Sequence, residues 1–60
     1  MIETYKTFKG WIVRKWDGIR WLYMAKGNKY VTDYTYAKAF SEKAANELLK
    51  DLILELQEAY

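Results

Sequence analysis

Sixty residues, 52% hydrophobic and 18% aromatic, make one small domain, and a chain of this size buries only about 60% of the surface that its unfolded form exposes. Cysteine and histidine are both missing, which excludes a disulfide framework and the usual zinc ligands and removes the commonest nucleophile and general base. The net charge of +2 hides an asymmetry: residues 1–40 carry eight Lys or Arg against three acids, and residues 41–60 carry two against five, a basic sheet half and an acidic helix half. No apolar run approaches the roughly 20 residues that span a bilayer, and "MIETYKTFKG" lacks the apolar core of a signal peptide, so the expected location is the cytoplasm, with no membrane contact.

In chain order, "ETYKTF" either adds pairing to a sheet edge or stays a loose arm. Next comes "GWIVRKWDGIRWLYM", where Asp17-Gly18 between alternating apolar runs predicts a type I′ hairpin with strands over about residues 11–16 and 19–24. A two-residue loop pairs Trp16 with Ile19, Arg14 with Trp21, Val13 with Leu22 and Ile12 with Tyr23, and residues opposite one another share a face. One face then carries Trp11, Val13, Leu22 and Met24, with Lys15 and Arg20 at the turn end. The other carries Ile12, Trp16, Ile19, Trp21 and Tyr23 around Arg14.

"AKGNK" predicts a second turn through Gly27 and Asn28. The Tyr-, Val- and Thr-rich segment after it suits strand, broken by Asp33 into a short strand near residues 30–32 and a strand or extended segment near 36–40. Ser41 stands at the N-cap position with Glu42 at the positive end of the helix dipole. From there a helix is predicted over 42–58. At 100° per residue, Ala45, Leu48, Leu49, Leu52, Ile53, Leu56 and Tyr60 share a stripe, and Leu54 falls opposite it among acids. The expected fold is therefore α+β: a single domain, 1–60, with a three-stranded antiparallel sheet over about 4–40 packed against one C-terminal amphipathic helix.

One helix covers one face of such a sheet, so the other face is left for a partner. The aromatic face is the larger, and contiguous exposed apolar surface on a small protein marks an interaction site. Ile12, Arg14, Trp16, Ile19, Trp21 and Tyr23 are the candidate protein interface, with the two tryptophans and Tyr23 as anchors and Arg14 as the polar hot spot. Association of two copies is the commonest way to hide such a face, so a homodimer is expected. Two structural alternatives remain open: pairing shifted by one residue exchanges the faces, or the N-terminal segment and the tyrosines fold over the aromatic side and close it. Nucleic acid is the competing partner, through Arg14, Lys15, Arg20 and Lys26. An enzyme is not expected. Ser41, the only serine, is used as a cap, and the Glu47, Asp51 and Glu55 row suits a solvated helix face. Neither a cofactor nor a metal is implied.

The order "WIVRKWDGIRWLYM", "YVTDYTYAKAF", "SEKAANELL" resembles small accessory proteins encoded by tailed phages and prophages of Gram-positive bacteria. The positions that carry the likeness are Trp11, Ile12, Val13, Asp17, Gly18, Thr32, Asp33, Ala37, Lys38, Phe40, Ser41 and Ala45. The resemblance implies a hairpin-strand-helix fold in the cytoplasm of a bacterial host and leaves the activity open; some such proteins inhibit host enzymes or defences. "AFSEKAANELL" is similar, through Phe40, Ser41, Lys43 and Ala45, to the strand-to-helix junction in the arm-type DNA-binding domain of tyrosine recombinases. That family lays its sheet in the major groove, whereas the outer strand positions here are aromatic instead of basic.

Overall fold

Asp17 sets the geometry of the central hairpin. Its Oδ1 accepts hydrogen bonds from the Ile19 and Arg20 amides at 2.8 Å each, and its own amide donates to the Arg20 carbonyl at 3.2 Å. Only Gly18 in this loop has a positive φ, +103°, whereas a type I′ turn needs two such residues in succession. The loop therefore takes four residues, 17–20, and the strands pair Trp16 with Trp21, Lys15 with Leu22 and Arg14 with Tyr23. This corrects the expected pairing by two positions. Because side chains alternate with period two, the shift leaves every strand residue on its expected face. Ile19 and Arg20 pass from the strand into the loop.

The computed structural model describes residues 1–58. They form β1 (Ile2–Thr7), β2 (Gly10–Trp16), β3 (Trp21–Ala25) and β4 (Lys29–Val31), then a 3-10 turn (Tyr34–Tyr36) and α1 (Glu42–Glu58). The antiparallel sheet runs β1-β2-β3-β4, so it has four strands where three were expected. The N-terminal segment is the added one, pairing from Ile2 with Lys15 to Thr7 with Gly10. Its turn is tied by Thr7, whose Oγ1 donates to the Gly10 carbonyl and accepts from the Lys9 amide. The β3–β4 turn uses consecutive left-handed residues, Gly27 (φ 80°) and Asn28 (φ 59°), the residue types that adopt that conformation most readily.

The hairpin forks at its wide end. The β2–β3 ladder stops at Arg14 and Tyr23, and the segment 37–40 enters the gap, bridging Ala37 to Ala25 and Phe40 to Trp11. Paired amide–carbonyl bonds of 2.9 and 2.7 Å join Trp11 and Phe40, and the Lys38 amide donates to Met24. Gly10 allows this close passage: its φ is +130°, and a Cβ there would meet the Phe40 carbonyl at 3.2 Å. The chain thus crosses the sheet from the 3-10 turn on one face to the helix on the other.

Ser41 caps that helix, accepting the Ala44 amide at its Oγ. α1 covers the face of Val13 and Met24, which with Ala45 form the buried core, flanked by Ile2, Trp11, Tyr30, Phe40, Leu48 and Leu52. Ile53 and Leu56, placed in the buried stripe by periodicity, are exposed. A 17-residue helix extends about 25 Å at 1.5 Å per residue, and its exposed large apolar residues fall in its second half. Leu54 is exposed as expected. Tyr60 lies outside the described residues. No helix among the described residues is long and apolar enough to cross a membrane.

Candidate interaction surface

The face opposite α1 divides into a closed half and an open half. The closed half lies beside the fork. The 3-10 turn, capped by Asp33 through a 2.9 Å bond from the Thr35 amide, sets Tyr34 edge-on against Tyr23 with centroids 5.5 Å apart. Ile12 is 0% exposed and belongs to the fold, which removes it from the expected interface. The reason is the fork: two-layer reasoning leaves this face bare, but the chain crosses it before reaching the helix.

Arg14 is held in the middle of this face. Its Nη2 lies 2.7 Å from Glu3 Oε1 and its Nε donates to the same oxygen at 3.0 Å. The guanidinium lies over the Trp21 ring at 3.8 Å and the Tyr5 ring at 4.3 Å from the centroids, an arrangement that the flat, delocalised arginine cation makes well and lysine does not. Burial, reinforced by neighbouring Tyr23 and Tyr34, raises the Tyr5 pKa, against the lowering effect of Arg14. With its charge and planar faces already matched inside the chain, Arg14 is a clamp between strands, not a free hot spot.

The open half lies at the turn end of the hairpin. Trp16 and Trp21 meet edge to face with centroids 5.4 Å apart, and Trp16 remains 39% exposed. The Trp16 amide donates to the Met1 carbonyl at 2.8 Å, which brings Met1 against the pair, so that Met1, Trp16 and Trp21 line one shallow apolar hollow. Met1 also lines the groove of about 280 Å³ beside the helix, with Ile2, Lys15, Tyr30, Leu52, Glu55 and Leu56. Met1 thus joins the tryptophan hollow to a groove of mixed character that carries the charged Lys15 and Glu55. Ile19 projects from the adjoining loop, 85% exposed.

Of the six expected interface residues, Trp16, Trp21 and Ile19 are brought together at this open end. Tyr23 is half-buried against Tyr34, Arg14 is clamped and Ile12 is buried. Met1, Leu52 and Leu56 were missed, because the edge strand that brings Met1 to the tryptophans and beside the helix is not a local signal. The four expected nucleic-acid residues do not share a surface. Arg14 is paired, Lys15 lies on the helix side over Tyr30 at 4.3 Å, and Arg20 and Lys26 stand in turns at opposite ends of β3. Among the described residues there is no group of three or more acids, His or Cys placed to hold a metal. No family model, curated protein or solved structure matches this chain.

Proposed function

We propose that this is a non-enzymatic binding protein of the phage accessory type, which engages a host or phage protein through the open tryptophan end of its sheet and inhibits a host function. It works in the cytoplasm of the bacterial host, and the same surface supports a homodimer. One observation carries this reading: the Trp16–Trp21 pair and Met1 form an exposed apolar hollow in a domain too small to hide it. Tryptophan leads the residue types that dominate binding energy, because its large rigid surface is desolvated at little entropic cost.

The test is Trp16→Glu. It is expected to abolish self-association, read as mass in solution, and capture of a host protein, while leaving the circular dichroism of the fold unchanged. Retention of both with Glu at this position overturns the reading.

A further inference from the structure

The end of the sheet opposite the tryptophans has a different chemistry. In a β1-β2-β3-β4 meander the first and third turns fall at the same end, so Phe8-Lys9 and Lys26–Asn28 stand at one end of the sheet, on either side of the fork. The segment 37–40 enters the fork between them, adding Lys38. Lys6, opposite Trp11, and Lys29, opposite Ala25, complete a rim of five lysines. The two ion pairs among the described residues use Arg14 and Arg20, so no lysine of this rim is neutralised by a carboxylate there. Glu3, paired with Arg14, Asp33, committed to the 3-10 cap, and Glu42, at the helix start, are the acids nearest to it in the chain.

Two aromatic rings at this end lack packing. Phe8, in the β1–β2 turn, is 90% exposed and Tyr36 is 68% exposed. Lys9 lies over the Tyr34 ring at 5.3 Å, which sets that turn beside the 3-10 turn bearing Tyr36. Lys38 lies over Phe40 at 5.0 Å. These two cations are therefore held in place, and less rotamer freedom is lost when they meet an anion.

We propose that this lysine rim binds single-stranded nucleic acid, with Lys9, Lys26, Lys29 and Lys38 on backbone phosphates and bases stacked on Phe8 and Tyr36. Unpacked rings interleaved with unpaired cations are what a single strand uses, since each base has a free π-face. In a duplex the bases already stack on one another, and the rings gain nothing. The rim shares only Lys26 with the contacts expected from sequence, and it does not depend on the protein-binding reading.

The test is fluorescence anisotropy of a labelled oligothymidylate of about 20 nucleotides, a length that exceeds the site of a small domain. Three to four phosphate contacts give a slope of log affinity against log salt of about −2 to −3. The triple variant Lys9→Glu, Lys26→Glu, Lys38→Glu is expected to weaken binding by more than about tenfold. Phe8→Ala is expected to weaken it by at least about fivefold with the salt slope unchanged, because stacking, not charge, is lost. Trp16→Glu leaves it unaltered. All five sites are exposed, and circular dichroism checks the fold of each variant. The proposal is overturned by no binding at low salt, by tighter binding to duplex of equal length, by inorganic polyphosphate competing as well as the oligonucleotide while Phe8→Ala changes nothing, or by loss of binding on Trp16→Glu.

Discussion

The two faces of the sheet are stabilised by different physics. On the helix side, Val13, Met24 and Ala45 exclude water completely or nearly so, and their contribution is apolar burial, worth about 25 cal/mol per Å² removed from water. On the other side the centre is a cation between two aromatic rings with a carboxylate at its edge. One face is held by packing with no directional bonds. The other is held by directional contacts that fix which strand lies beside which, and it stops short of the turn end. What the comparison teaches is that a chain with too little core for two buried faces can close half of the second face with one arginine and leave the remainder as working surface.

Breaking the helix face should have the largest effect. Met24→Ala removes a fully buried side chain and is expected to cost about 2–5 kcal/mol, against a total of roughly 3–9 kcal/mol for a domain of this length. Urea denaturation should show a large loss of the folded fraction even without denaturant. Arg14→Ala comes next, at about 1–3 kcal/mol, because it removes two stacking contacts and leaves Glu3 half-buried without its partner. Arg14→Lys should recover only part of that loss in the same measurement. If Arg14→Ala matched Met24→Ala, the division of labour between the faces would be wrong.

Acid should act on the two loop carboxylates that backbone amides hold, Asp17 and Asp33. Asp17 is held below the usual carboxylate range by the backbone amides of Arg20 and Ile19, and Asp33 by the Thr35 amide. A lowered folded value means that the stabilisation is complete above the unfolded value, near 3.8, and is lost as pH falls through the folded value. Thermal melts should therefore hold level from neutral pH to about pH 5 and decline below about pH 4. Asp17→Asn should flatten part of that decline. Smallest of all, Ile19→Ser should change stability by only about 0.5 kcal/mol, because that side chain is largely in water already, and Trp16→Glu, which gives up the edge contact with Trp21, by about 1 kcal/mol. For Trp16→Glu, that small change beside a total loss of association is the sharpest form of the comparison.

Much of this arrangement was legible in the sequence where local chemistry decides it. The Gly27-Asn28 turn, the Ser41 cap and the start of the helix follow from residue types that few other conformations suit. The division of hairpin residues between faces survived a wrong loop length because an error of two keeps parity. What was not legible depends on distant residues. Ile2–Thr7 shows little apolar alternation, as an edge strand with polar neighbours will, so edge pairing was one of two open readings of this segment, and the Glu3 partner of Arg14 was not visible. Ile12 reads like any outward strand residue until the segment 37–40 is seen to fork the sheet. Met1 joined the open end only once β1 was paired. For the lysine rim the residues were visible but their common end was not, since it follows from strand order.

The fork also bears on how the chain reaches its folded form. The two outer turns and the central loop join neighbours in sequence, and hairpins of this kind form in about 1–10 μs. Trp11 and Phe40, by contrast, meet across nearly half the chain, and their closure must await a hairpin whose wide end is still parted. We expect this seam to be the last part of the sheet to zip, with the Trp11 and Phe40 amides gaining protection from hydrogen exchange after those of Lys15 and Leu22, which face one another across the hairpin. A side chain at Gly10, pressed against the Phe40 carbonyl, would then slow refolding by obstructing the final step, and a helix already formed would wait, undocked, for the sheet to shut.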